Sequence, residues 1–338
     1  MKTIRRICAV LIGFVFIGAG LLKLMDPVGA GLVVGEYFKF LHLGFMVPAS
    51  DFFGVFMALV ESLVGVMLIS GVFRKGTAIV SGALILVFTG LTLAIWVVNP
   101  NMDCGCFGEA VHLTHFQSFI KNVALCLLWV VAFVPLPSSD KPRQIKYVSF
   151  GIASLSVLLF ALWSLMSIPP VDFTPFAPGA VLMQAQSSPE PDAPLLSICN
   201  SEGEYCDEEL AEGAVLLLTV YDMDRMPDHS FIRLLECAAA ASEAGMRPVL
   251  ITAEDCQSAD YTSDRRTLMT VNRSNGGATL LRDGMIVAKW PYRSLPGTEK
   301  LAGLMEYDPA EAMLQENTPR RLKFQGYLLY VFAVLLLL

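Results

Sequence analysis

The chain has 338 residues, of which 54% are hydrophobic and 16% charged, with a formal net charge of −7. Its apolar residues fall in blocks of about twenty, longer than soluble cores use and long enough to cross a bilayer. The composition excludes a purely soluble protein, and the acidic balance argues against a nucleic-acid partner.

The first block, Ile7 to Leu24, follows the basic start Met1-Lys2-Thr3-Ile4-Arg5-Arg6. No small-residue cleavage site precedes Lys23 and Asp26 and further spans follow, so it reads as a retained helix rather than a signal peptide. Phe52 to Phe73, Gly76 to Val98, about Phe119 to Val134, and Tyr147 to Ile168 complete five predicted spans. A final run, Phe324 to Leu338, would be about 22 Å long as a helix, short of the roughly 30 Å hydrocarbon core. It is expected to be a truncated span or an interfacial anchor.

Orientation follows from the short loops. Lys2, Arg5 and Arg6, then Arg74 and Lys75, then Lys141, Arg143 and Lys146 mark the cytoplasmic ends, while the stretch Met25 to Asp51, read as a loop, carries only Lys39. Asn99 to Ser118 has no Lys or Arg and belongs outside. The cluster Arg320, Arg321, Lys323 departs from this pattern. The expected location is a bacterial-type inner membrane, crossed several times, with the N-terminus cytoplasmic.

Between the third and fourth spans lies Asn101-Met102-Asp103-Cys104-Gly105-Cys106-Phe107-Gly108-Glu109. Cysteines at i and i+2 can close a small strained disulfide, which is more oxidising than a relaxed one and more easily attacked. Gly105 frees the backbone for the required turn. Three readings stay open: a redox pair, two staples bonded elsewhere, or a metal site completed by His112 and His115 in the pattern Cys-x-Cys-x5-His-x2-His, suited to zinc or copper. The histidines read first as interfacial residues near the fourth span. Glu61 lies about ten residues from either end of its span. It is a candidate intramembrane acid or half of a packing pair, with Lys23 as its partner in either role. Cys8 and Cys126, within apolar spans, read as small buried hydrophobes.

Asp172 to Pro319 holds 24 of the 31 acidic residues and 10 of the 24 basic ones, and opens with a Pro/Ser/Ala-rich linker, Pro169 to Pro194. This predicts a separate acidic domain, periplasmic by the charge argument. Val215 to Tyr221 and Pro248 to Ala253 read as buried strands flanking a helix over Pro227 to Met246. Ala278 to Leu281 and Met285 to Trp290 flank the hairpin turn Arg282-Asp283-Gly284, and a last helix covers Gly297 to Met305. Cys199 and Cys206 bracket a predicted hairpin and are candidates for a local disulfide. With Cys104, Cys106, Cys237 and Cys256 they make six external thiols, whose pairing sequence does not decide.

The order strand, helix, strand, hairpin, helix resembles a thioredoxin fold over Leu195 to Tyr307. The family's Cys-x-x-Cys position is occupied by Asp222-Met223-Asp224-Arg225, and Gly276-Gly277 stand where its cis-proline is expected. The resemblance implies a degenerate, client-binding α/β domain rather than an independent oxidoreductase. In the membrane half, the first span closing in Gly20-Leu21-Leu22-Lys23, Glu61 ahead of Gly65 and Gly71, a basic turn, and Cys-Gly-Cys-Phe-Gly at 104–108 are similar to the DoxX-like superfamily, and within it to the methylamine utilisation protein MauE family. That resemblance covers about residues 1–135. It implies a four-helix membrane bundle linked to disulfide formation or maturation of exported proteins, including the small subunit of methylamine dehydrogenase. By analogy with other small membrane thiol oxidases, a quinone is a candidate electron acceptor.

The expected architecture is a DoxX/MauE-like membrane domain (1–135), a cytoplasmic loop and fifth span (136–168), a linker (169–194), a thioredoxin-like domain (195–319) and a hydrophobic tail (320–338). The expected function is thiol–disulfide redox or maturation of an exported client or periplasmic thiol protein. The alternatives are a non-enzymatic scaffold or transport component, or a metal-handling protein.

Overall fold

The computed structural model describes residues 2–100, 102–136, 143–182, 194–256 and 258–336. Asn101, Lys141 and residues 183–193 of the Pro/Ser/Ala linker lie outside the described residues. The chain divides into two compact units, Met1–Leu165 with Gly326–Leu338, and Met166–Gln325.

In the first unit, α1 (Lys2–Met25), α2 (Pro27–Phe40), α3 (Ser50–Ser70), α4 (Arg74–Val98), the short strand β1 (Cys106–Glu109), α5 (His115–Phe133) and α6 (Gln144–Met166) follow in order. Among the described residues five helices are long and apolar enough to cross a membrane, namely α1, α4, α5, α6 and α3 with the 3-10 turn before it. The five predicted spans therefore stand. The chain is a multi-pass membrane protein.

The segment Met25 to Asp51 is not the loop expected from the sequence. Asp26 accepts a hydrogen bond from the Gly29 amide at 3.0 Å and Pro27 occupies the first turn of α2, a normal helix start. At 14 residues, α2 is too short to span, yet its Gly-rich face packs closely on α3. The longest contact in the unit is α1 against α3. It is made backbone to backbone: a Cβ on Gly20 would lie 2.7 Å from Ala58 O, and one on Gly65 would lie 2.8 Å from Gly13 O. Small residues allow this close approach, which in lipid replaces the missing hydrophobic drive between helices.

The basic residues used to orient the chain also close helix ends. Arg6 donates to Leu68 O at 2.9 Å and to Ile69 O, Lys146 to Ser70 O at 3.1 Å, and Arg5 to Ala132 O at 3.0 Å. These cations sit at the negative ends of α3 and α5 and satisfy carbonyls that have no intrahelical donor.

The second unit is built on β2 (Ala214–Val220), α7 (Asp228–Glu243), β3 (Arg247–Thr252), β4 (Tyr261–Thr262), α8 (Arg265–Val271), β5 (Gly277–Arg282), β6 (Met285–Trp290), α9 (Thr298–Met305) and the start of α10 (Pro309–Leu336). The sheet order is β4-β3-β2-β5-β6, with β2 parallel to β3 and β5 antiparallel to both β2 and β6. Strand β2 is apolar apart from Thr219, and both of its faces are covered. Leu216, Leu218 and Val220 pack with Leu234, Cys237 and Ala241 of α7, whereas Val215 and Leu217 pack with Leu196, Ile198, Leu210 and Leu268. The turn Asp283-Gly284 has positive φ at both residues, 50° and 76°, as a two-residue hairpin requires. β4 and α8 were not expected from the sequence.

The sequence boundary at 319/320 falls inside α10, and the last part of that helix groups with the first unit. There Tyr327 stacks on Phe160 of α6 at 4.6 Å and donates a hydrogen bond to Ser156 O at 3.1 Å.

Candidate functional site

Cys104 and Cys106 sit on a turn in which the Gly108 amide bonds to Gly105 O at 3.2 Å. Gly105 has φ +56°, and a Cβ there would meet Val33 of α2 at 2.2 Å, so only glycine fits both the dihedral and the space. The sulfurs are 3.7 Å apart, within easy reach of the roughly 2.05 Å of a disulfide after a small rotation. Tyr37 of α2 holds the turn from behind, donating to Cys104 O at 2.7 Å with its hydroxyl 3.9 Å from Cys104 Sγ.

The two thiols are not equivalent. Cys104 is 4% exposed, and Cys106 is more open. The hydrogen bond from the Cys104 thiol favours a Cys106 thiolate, and the charges of Lys121 and Lys23 add to it, bringing Cys106 down to about 5. Cys104 moves the opposite way, raised by its bond to Cys106 and by burial. An attacking thiolate beside a protonated, buried partner is the arrangement that thiol–disulfide exchange uses.

Both cysteines line a cavity of about 270 Å³ within the helical unit. Its walls are largely aliphatic and aromatic, including Phe16, Phe38, Phe53 and Phe88. Besides the cysteines its polar groups are few: Lys23 of α1, Tyr37 of α2, Glu61 of α3, Thr92 of α4, and Lys121 and Asn122 of α5. Glu61, 2% exposed, takes both its oxygens to Lys23 Nζ at 2.7 and 2.9 Å. Asn122 Nδ2 donates to Thr92 Oγ1 at 3.1 Å and ties α5 to α4. The Lys121 ammonium lies 4.8 Å from the Phe107 ring centre.

The sequence singled out Cys104, Cys106, Glu61 and Lys23, and the fold gathers all four around one cavity. Tyr37 and Lys121 went unrecognised. A lone cation inside an apolar span was the available sign for Lys121, whereas Tyr37 lay in the segment read as a loop.

His112 and His115 do not join the thiols. His112 is exposed, with Nδ1 3.8 Å from Asp103 Oδ1. His115 spans the ends of the segment, 3.0 Å from Asn99 Oδ1 and 2.9 Å from Met102 O. Among the described residues no cluster of three His, Cys, Asp or Glu side chains has metal-binding geometry. Cys8 is buried among the helices, and Cys126 lies 3.4 Å from Thr89 Oγ1.

In the second unit, Cys199 pairs with Tyr205 across the expected hairpin and the Cys206 amide bonds to Ile198 O at 3.0 Å, with both thiols free. Cys237, on the buried face of α7, donates to Pro296 O at 3.5 Å and is pushed up to about 11 by burial. Cys256 is partly exposed. After β2, Asp222 takes the guanidinium of Arg265 at 2.7 Å and the Arg225 amide at 3.1 Å. Asn275 closes over it, accepting the Tyr221 and Asp222 amides at 2.9 and 3.1 Å and donating to Asp222 O at 2.6 Å. Hydrogen bonds, not thiols, fill this loop.

Residues 1–135 match the family model for methylamine utilisation protein MauE. Over 168 residues the chain is 27% identical to Protein TlpB of Flavobacterium psychrophilum, a match covering 49% of this chain and 46% of that one. The alignment thus spans about half the length of the curated relative. No solved structure matches. Over residues 1–135 the membrane half is thus similar to MauE proteins, and an α/β sheet domain follows.

Proposed function

We propose that the chain is a membrane thiol–disulfide exchange protein in which Cys106 attacks and Cys104 resolves. The observation that carries the reading is the unequal pair: sulfurs 3.7 Å apart, one thiol buried, the other favoured as the thiolate. The Cys106 thiolate attacks a disulfide sulfur and expels the leaving thiolate. Cys104 then displaces the client from Cys106, closing Cys104–Cys106 and reducing the client's bond; run backwards, the same steps oxidise a client dithiol. The absence of Lys and Arg from 99–118 supports a position for the pair on the outer face of an inner membrane.

In this reading the α/β unit is thioredoxin-like and holds the client without exchanging thiols itself. Its strand order and parallel β2/β3 pair support the first part, and the Asp222–Asn275 lock supports the second. The family description favours a client among exported proteins used in methylamine utilisation. The metal-handling alternative loses weight because His112 and His115 are engaged elsewhere.

Cys104→Ser and Cys106→Ser test the reading. Each is expected to abolish client oxidation as fully as the double variant, because half of a pair cannot complete the cycle. Cys104→Ser is also expected to trap a mixed disulfide on Cys106, at unchanged membrane abundance. Normal client maturation in the double variant would reject exchange and leave a scaffold or transport role.

A further inference from the structure

A second cavity, of about 230 Å³, lies within the second unit, walled by the segment that follows α6, by Arg273 after α8, by Lys289 of β6 and by one face of α10. Four cationic side chains line it, Arg273, Lys289, Arg320 and Arg321, against one carboxylate among the described residues, Asp172. That balance inverts its surroundings, because Asp172 to Pro319 holds 24 acidic residues and 10 basic ones.

The carboxylate is already committed. Asp172 meets the buried Lys289 at 2.6 Å, so the positive excess rests on Arg320 and Arg321. Arg320 is partly buried and gives one N–H to Lys289 O at 3.3 Å, and a guanidinium carries five. Glu316, one turn earlier on α10, is held by Trp290 Nε1 at 2.9 Å and by Lys300 Nζ at 2.6 Å. Among the described residues neither Arg320 nor Arg321 forms a salt bridge. Burial lowers the Arg320 guanidinium from its ordinary value, and the charge of Glu316 offsets only part of that. A partly buried cation without a close counter-ion is costly, and an anion held in the cavity removes that cost.

The position of the cavity selects the anion. Ile168 is two residues beyond the end of the fifth span at Met166, and Arg321 is three residues ahead of the apolar stretch that starts at Phe324. At a reach of roughly 3.6 Å per residue, both lie within about 11 Å of those segments. Ile168, Pro169, Val171 and Leu314 give the lining an apolar side, which suits the glycerol end of a lipid better than a free ion. The acidic field of the domain repels a phosphate arriving through solution, whereas a headgroup arrives along the bilayer plane.

We propose that this cavity is a phosphate site and that its occupant is the headgroup of an anionic phospholipid, whose phosphate oxygens accept from Arg320 and Arg321. Guanidinium forks match phosphate geometry, and basic clusters beside membrane segments recognise such headgroups. The cluster Arg320, Arg321, Lys323, which departs from the charge pattern of the other loops, then has a binding role rather than a topological one. The site does not depend on the thiol pair.

The test uses the full-length chain in nanodiscs of phosphatidylcholine alone or of an equal mixture with phosphatidylglycerol. Released from the mixture into native mass spectrometry, the chain is expected to retain phosphatidylglycerol over phosphatidylcholine by about tenfold or more. Its melting temperature should also be higher in the mixture. Arg320→Gln/Arg321→Gln is expected to lose the retention and the shift while melting like the unsubstituted chain in phosphatidylcholine. Arg321→Gln, at an exposed position, should weaken retention by itself and serves if the double variant fails to fold. Inorganic phosphate, added to phosphatidylcholine nanodiscs at constant ionic strength, should leave the melting temperature unchanged. Equal retention in the unsubstituted and substituted chains would overturn the site. A shift with inorganic phosphate that the variants lose, without preference for phosphatidylglycerol, would overturn the lipid as its occupant.

Discussion

Cys106 differs from Cys104 through its neighbours rather than its place in the sequence: a thiol that donates to it and two lysines that favour its charge. A thiol lowered to about 5 is ionised at every pH above that value, so its alkylation is expected to keep its full rate down to about pH 6 and fall as pH drops through 5. An ordinary thiol loses reactivity below about 8.5. Iodoacetamide trapping against pH, read at Cys106 by mass spectrometry in a Cys104-intact chain, checks this; a midpoint above 8 would remove the asymmetry on which the attack order depends. Gly105 provides a second residue-scale expectation. Gly105→Ala forces an unfavourable dihedral and a contact with Val33, a loss of about 1–3 kcal/mol. Val33→Ala added to it is expected to recover the contact part only, so membrane abundance should return partially. Full recovery would show that the dihedral carries no cost.

Among the elements, α2 changes the picture most. Folded as a helix under the Cys104 turn, it brings Tyr37 to the Cys104 carbonyl and Val33 to Gly105, and so sets the floor of the site. Tyr37→Phe deletes one hydrogen bond and is expected to lower stability by about 0.5–1.5 kcal/mol and loosen the turn. Faster hydrogen exchange confined to 103–108 would show it, and unchanged protection there would mean that the turn holds itself. In the α/β unit, Lys289, 5% exposed, meets Asp172 at 2.6 Å. Burial pushes the Asp172 carboxyl up, but the Lys289 charge and the Thr174 hydrogen bonds outweigh it and hold the group below the usual range. Its stabilisation is therefore present above about pH 4 and lost as pH falls through the depressed value. Asp172→Ala removes the carboxylate that meets the buried Lys289 ammonium, at about 3–5 kcal/mol. Accelerated hydrogen exchange of the β5 and β6 amides in the full chain is expected; native protection would show that Lys289 finds another partner.

At the scale of the whole molecule, the proposal divides labour between a membrane unit that exchanges thiols and an α/β unit that does not. The double Cys104→Ser/Cys106→Ser chain is accordingly expected to show no insulin-disulfide reduction above background, since Asp222, Arg265 and Asn275 fill the loop after β2. Turnover there would assign exchange to Cys199 and Cys206. Topology is checked in intact cells with a membrane-impermeant maleimide. After reduction it should label Cys104 or Cys106, while a cysteine placed at Lys75 should react only after lysis. Arg5, Arg6 and Lys146 are engaged in capping helix ends, so substituting them changes packing as well as orientation. The Lys75 position is the cleaner marker.

By itself the sequence determined the five spans, because twenty apolar residues with few charges have no other stable place than a bilayer. It also determined β2, α7, β3, the β5–β6 hairpin and α9, whose periodicity and turn residues are local properties. It pointed to Cys104, Cys106 and Glu61 because thiols at i and i+2 and an acid within a span are costly to keep without a use. α2 was missed because glycines blur its periodicity, and β4 and α8 because elements of 2 and 7 residues carry too short a pattern. Only the tertiary structure decided that Lys23, Tyr37, Glu61 and Lys121, from four different helices, surround the thiol pair in one apolar cavity. It also turned His112 and His115 away. The inequality of two chemically identical cysteines belongs to this second category: burial and the field of neighbouring charges depend on which helices pack together, and no local pattern of residues encodes that.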